Sequence, residues 1–427
     1  MRKAAFILLA ILVLVSPTAA QTGGIIGPDT YPENINPLTG LPVDDPAILN
    51  QRPVIVKVVN APATARPQWG LPQADIVWEY LLAGGITRFA AIYLSEAPER
   101  VGPIRSLRLP DFELARMYRG LMVTSGMSTG VYEVLREDSL MMSRLISGES
   151  PAPALYRDLQ LDRPWEYTLF GDVDELRALA TDLGRDVEPE PLYGMAFQVQ
   201  PPANGAAIAS AEVEYARAHI TWVYDGARGV WRRFHNEELH TDAISEEQLV
   251  ADNVVILEEE HTIQPYVYED YWGYSNFAYS VNFIGSGRVV LLRDGQMFEG
   301  EWRRSSREEP LTFYDLDGNV LPFKPGRTYF NLVPRWLEGY QLVFRLHEPP
   351  VATVTTPSVY FYWGPTTGYS RGGWGYESDE LPVIGRNNGG TWVQLLVEDR
   401  VLWTTTDVVN LSVDVMSLPL ARPTTEY

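Results

Sequence analysis

The chain predicts an α+β protein in several parts: an α/β N-terminal domain at 45–195, a β-rich second domain at 196–340, a linker at 341–357 and a small C-terminal β-barrel at 358–420. Three observations carry this expectation. Short β-branched runs alternate with helix signals as far as residue 195. From Glu212 the helical period gives way to short alternating strands punctuated by turns such as Asp225-Gly226 and Asp294-Gly295. Finally, Trp363, Trp374, Trp392 and Trp403 fall within a last stretch of barrel length.

At the N-terminus, Arg2 and Lys3 precede an apolar run, Ala4 to Val15, then Ser16-Pro17 and the small residues Thr18-Ala19-Ala20. This is the layout of a secretory signal over residues 1–20, cleaved after Ala20. The run is shorter than the roughly 20 residues of a membrane span. A secreted or extracytoplasmic product associated with the cell wall is expected, with no integral span after cleavage. Residues 21–44, rich in Gly, Pro and Asn, read as an exposed lead-in. Val54 to Val59, Ala74 to Leu82 and Phe89 to Leu94 read as buried strands, and Asp111 caps a helix over Phe112 to Tyr118. Gly120 to Thr124 is a further strand. Asp172 or Asp174 opens a second helix in which Leu176, Leu179, Ala180 and Leu183 share a face, with Gly184 just past its end.

Composition narrows the function classes. The 427 residues carry 34 Lys+Arg against 55 Asp+Glu, a net charge of −21, the wrong sign for a general nucleic-acid binder. A hydrophobic content of 45% excludes a disordered acidic polymer. With no Cys there is no thiol catalysis, disulfide or lipid attachment through cysteine, and five His remain for base or metal chemistry. His235 and His240 are five apart, where a helical zinc pair needs four, and the segment reads as a β-hairpin. Asp315-x-Asp317-Gly-Asn319 lacks the closing Glu of a calcium loop and reads as a plain turn. No metal and no cofactor are expected.

Several motifs stand in order: Asn36-Pro-Leu-Thr-Gly-Leu-Pro42, Ala65-Arg-Pro-Gln-Trp-Gly-Leu71, Gln73-Ala-Asp-Ile-Val-Trp-Glu-Tyr80, Gly84-Gly-Ile-Thr-Arg-Phe89 and Val101-Gly-Pro-Ile-Arg-Ser-Leu-Arg108. Together they resemble the YerB-like family, domain-of-unknown-function family 3048. The resemblance runs to about residue 335 through Asn253-Val-Val-Ile256, Gly300-Glu-Trp302 and Phe313 to Gly318. It implies a bacterial envelope protein and brings no established chemistry. In the tail, Gly364-Pro-Thr-Thr-Gly-Tyr369, Leu381 to Asn387 and Gly390-Thr-Trp-Val-Gln394 are similar to bacterial SH3-type domains, a resemblance that implies binding to cell-wall peptides or glycans. Tyr360-Phe-Tyr-Trp363 and Leu402-Trp403 depart from that pattern.

The candidate ligand-binding residues are Arg66, Gln68, Asp75, Glu79, Arg88, Arg105, Arg108 and Ser128. Guanidinium forks bind phosphate or carboxylate bidentately, and a local basic cluster in so acidic a chain points to an anionic envelope or cell-wall ligand. The competing explanation is ion pairing of the arginines with Asp75, Glu79 and Asp111. Gly126-Met-Ser128-Thr-Gly130 has the spacing of a nucleophile elbow, between a strand and a helix. Its alternative use is to offer Ser128 and backbone N–H groups to an anion. The first expectation is therefore a binding protein. The alternative is an envelope enzyme, either a phosphoryl or glycopolymer transferase using the arginines or a serine hydrolase using Ser128.

Overall fold

The computed structural model describes residues 24–150, 152–269, 276–335, 341–398 and 400–421, and the expected signal segment lies outside them. The protein is mostly β, 43% strand and 14% helix, which corrects the expected α/β N-terminal domain. The local elements form near their expected places. Val54–Val59, Ile76–Leu81, Thr87–Tyr93 and Leu121–Thr124 are strands. Their helices are short: Leu109–Met117, Thr129–Arg136, Ser139–Arg144 and Val173–Asp182. Asp172 caps the last of these, and Gly184 follows it with φ +62°.

What the alternating pattern did not contain was the strand partners. Thr328–Pro334 lies parallel to Ile76–Leu81 on one side and parallel to Asn253–Glu259 on the other. The two halves of the chain therefore share one sheet, of sixteen strands among the described residues. The join is packed as well as hydrogen-bonded. Trp78 and Phe330 are direct register partners whose rings stack 4.3 Å apart at 4°, both fully buried. Such pairs are worth about 0.5–1.5 kcal/mol beyond their buried area. Local periodicity reports which face a side chain takes, not which distant strand lies beside it.

Two cores fill the opposite faces of the sheet. One holds Val54, Val56, Val58, Val77, Phe89 and Leu176, and the other Ile55, Trp78, Tyr80, Ile92, Phe112 and Phe330. His235 ends a strand that turns at Asn236 and Glu237 and pairs with Glu238–Leu239, so the segment to His240 is a hairpin. The tail forms a separate seven-stranded sheet around Ala352, Phe361, Val383, Val393 and Leu402. Val351–Val354, within the stretch read as linker, is one of its strands, and Gln341–Leu346 pairs with Ala206–Tyr215 of the large sheet.

Candidate polar sites on two faces of the sheet

Side chains alternate across a strand, and this divides the expected cluster. Tyr80 stands directly opposite Arg88 in the register, while Glu79 and Thr87 point to the other face. Lys57, on the strand beyond, shares the Tyr80 face.

On that face, Lys57 is completely buried; its ammonium contacts the Tyr80 hydroxyl and lies 3.1 Å from Asp111 Oδ1, which the Tyr80 hydroxyl also reaches. The second Asp111 oxygen accepts the Arg108 backbone N–H at 2.7 Å, closing the first turn of the helix Leu109–Met117. Burial pushes the Lys57 ammonium down to about 7, against the pull of Asp111 and helped by the neighbouring Arg88. The same burial raises the Asp111 carboxyl, opposed by Lys57.

Three guanidiniums gather beside this pair. Arg108 is buried and lies 3.2 Å from Glu269. Arg88, also buried, donates to the Ser106 carbonyl at 3.2 Å, and Arg105 donates to the Glu166 carbonyl at 3.1 Å while facing the Tyr167 ring. Among the described residues neither Arg88 nor Arg105 has a carboxylate within 4.0 Å, and each keeps a buried Nε without a hydrogen-bond partner. Burial, then the positive fields of Arg108 and Arg105, hold the Arg88 guanidinium well below its usual range. Gly126, at φ +131° and accepting from the Leu107 N–H, has nothing among the described residues within 4 Å of where a Cβ would stand.

On the opposite face, Glu79 accepts from Asn60 Nδ2 at 2.8 Å, from the Thr87 hydroxyl at 2.7 Å, and pairs with the buried Arg233. Arg233 Nη1 donates to His240 Nδ1 at 2.6 Å, so His240 carries its proton on Nε2 and donates a hydrogen bond from it to Gln68 Oε1 at 2.7 Å. Gln68 in turn donates to the Val59 carbonyl at 2.8 Å. Arg66 stands at the edge of this chain, donating to the Asn60 carbonyl at 2.7 Å and to His235 Nε2 at 3.1 Å.

The eight candidate residues thus separate. Arg88, Arg105 and Arg108 come together; Arg66, Gln68 and Glu79 lie across the sheet. Asp75 joins neither group: its carboxylate accepts from Asn36 Nδ2 at 2.7 Å, from the N–H groups of Leu94 at 2.6 Å and Ser95 at 3.1 Å, and from the Ser95 hydroxyl. The Ser128 hydroxyl accepts from Val131 N–H at 3.3 Å and donates to the Tyr268 carbonyl at 2.6 Å, which uses it as a helix cap. Sequence reasoning passed over Lys57, although a lone charge within Val54-Ile-Val-Lys-Val-Val59 was a legible signal, because a charged residue in a wholly buried strand needs a partner. It also passed over Arg233 and Glu269, which nothing in the local sequence distinguishes.

Comparison with known proteins agrees with the motifs. Residues 38–186 match the N-terminal domain of DUF3048, a protein of unknown function, and residues 211–330 match its C-terminal domain. A Bacillus subtilis (strain 168) protein provisionally named a lipoprotein, YerB, is 29% identical over 314 residues, 72% of this chain and 88% of that one. The crystal structure of the YerB protein from Bacillus subtilis superposes with a TM-score of 0.59 at 26% identity, covering 72% of this chain and 99% of that chain. With both domain patterns matched in order along a shared fold, the chain belongs to the DUF3048 family.

Proposed function

We propose that this protein works in the cell envelope as a binding protein, and that Arg88, Arg105 and Arg108 take a phosphate-type anion. The observation that carries the reading is charge imbalance. The three guanidiniums and Lys57 stand near the carboxylates of Asp111, Glu269 and Glu166, and among the described residues neither Arg88 nor Arg105 has a carboxylate within 4.0 Å, so with Lys57 charged four cations meet three acids. Buried like charges repel, and a bound oxyanion offsets that repulsion while satisfying the orphaned N–H groups. Arg105, only partly buried, is the entry side of the group. The envelope setting is supported by the relative's lipoprotein name and by the signal-like N-terminus. Among the described residues no helix is long and apolar enough to cross a membrane.

Titration of the full mature chain with pyrophosphate at low salt tests this reading. Saturable binding is expected, weakened at least tenfold in Arg105→Ala, since a hydrogen bond to a charged group is worth about 1.5–3 kcal/mol. A parent protein that does not bind the probe sinks the proposal. The second reading, a transferase, draws on Lys57: an amine pushed to about 7 beside Tyr80 and Asp111 is placed to take a proton under a bound phosphoryl group. Release of two orthophosphates from pyrophosphate and water, lost in Lys57→Met, separates turnover from binding.

A further inference from the structure

The loop whose Glu166 carbonyl accepts from Arg105 also holds a tryptophan outward. Strands Leu155–Arg157 and Leu169–Gly171 pair as a hairpin, and the residues between them are tied down. The Asp158 N–H donates to the Thr168 carbonyl at 2.8 Å. The Trp165 carbonyl accepts from the Thr168 hydroxyl at 2.8 Å and from Arg157 Nη1 at 2.7 Å. Arg163 donates to the carbonyls of Ala65 at 2.9 Å, Arg66 at 3.1 Å and Pro67 at 3.2 Å. Trp165 nevertheless stands 61% exposed, with the Arg157 guanidinium over one face of its ring, 3.2 Å from the centroid. A large apolar ring held out by so well-tied a loop is a fixed contact surface.

That surface lies beside the arginine group. Arg105 bonds to the residue next to Trp165 at 3.1 Å and faces the Tyr167 ring, 5.3 Å from its centroid. Burial holds the Arg105 guanidinium below its usual range, and the fields that act on it are those of Tyr167, Arg108, Glu166 and Arg157, so the cation stacked on Trp165 is also a neighbour of Arg105. Two carboxylates stand nearby. Glu149 accepts from Arg157 Nε at 2.6 Å, and Glu166, partly exposed, has no cation within 4.0 Å of its carboxylate among the described residues.

We propose that the anion taken by the arginines is the phosphate of a glycosyl phosphate whose sugar ring stacks on the free face of Trp165, an assignment that rests on the phosphate reading above. A sugar uses every feature of the loop. Its C–H face packs on the indole, and each hydroxyl can rotate to donate to a carboxylate. A hydrocarbon chain would dehydrate the Glu149 and Glu166 carboxylates without offering them a donor. A nucleobase would stack as well, but its ring acceptors cannot turn away from carboxylates as a hydroxyl does.

The test is calorimetric titration of the full mature chain at low salt with pyrophosphate, inorganic phosphate, glucose 1-phosphate, adenosine monophosphate and dihexanoyl phosphatidic acid. Glucose 1-phosphate is expected to bind about tenfold more tightly than inorganic phosphate, and more tightly than the nucleotide or the lipid. Trp165→Ala should remove that advantage, Trp165→Phe should keep part of it because a flat ring remains, and Glu166→Gln should reduce it. In a parent that binds pyrophosphate, three results overturn the sugar assignment and leave the phosphate reading standing: equal binding of glucose 1-phosphate and inorganic phosphate, an advantage undiminished in Trp165→Ala, or tighter binding of the nucleotide or the lipid. A parent that binds no phosphate probe overturns both. Should Trp165→Ala fail to fold, an advantage undiminished in both Trp165→Phe and Glu166→Gln overturns the assignment in its place.

Discussion

Glu79 and Tyr80 are adjacent in the chain and belong to different polar networks, one on each face of the same sheet. Glu79 anchors Asn60, Thr87 and Arg233; Tyr80 meets Lys57, Asp111 and, across the register, Arg88. A residue inserted before Glu79 would exchange the two faces and dismantle both networks. This geometry fixes how substitutions in either network should behave.

Lys57 and Asp111 are each fully buried, so removing one leaves the other an uncompensated buried charge. Lys57→Met should cost about 3–5 kcal/mol in urea denaturation, and the double variant Lys57→Met with Asp111→Asn should recover a substantial part. A single variant as stable as the parent would show that the pair is not formed in solution.

Acid should destabilise the protein through its hairpin histidines. Burial first, then Arg233, Arg66 and His219, push His235 down to about 2, and His240 is likewise held well below its ordinary value. Unfolded histidine protonates near 6.5, so below that pH the unfolded state binds more protons than the folded one. Stability is then greatest above about pH 6.5 and declines as pH falls. Thermal melts between pH 7 and pH 5 should show a smaller drop for His235→Gln than for the parent.

Ser128 is placed as a cap, not as a nucleophile. Ser128→Ala should cost about 1 kcal/mol from the lost cap, plus the bond to the Tyr268 carbonyl. Pyrophosphate binding at the arginines should remain within a factor of about two. Loss of binding with unchanged stability would return the hydroxyl to the ligand.

The tail is proposed to fold as its own unit. It is tied to the large sheet by Arg288 donating to the Leu420 carbonyl at 2.9 Å, by Leu420 N–H donating to Glu299 at 3.0 Å, and by Val343 packing with Ile384 and Val401. Truncation after Pro350 removes its whole sheet and these few contacts. The remaining protein should stay folded with a lowered Tm; collapse of its near-ultraviolet dichroism would make the tail an integral layer.

The sequence by itself determined the family, through long motifs in fixed order, and the local elements, through strand-length apolar runs and residues such as Asp172 and Gly184 at helix ends. It also contained the arginines and, unremarked, the charge of Lys57 within an apolar strand. Only the tertiary structure decided that the two halves share one sheet, because pairing of Ile76–Leu81 with Thr328–Pro334 is a contact between segments far apart in the chain, and nothing local records it. Only the tertiary structure, too, divided the candidate site. Side-chain alternation placed Glu79 and Arg88 on opposite faces, Asp75 went to backbone N–H groups and Asn36, and Arg233, from the distant hairpin, took the carboxylate that the neighbouring arginines were expected to share.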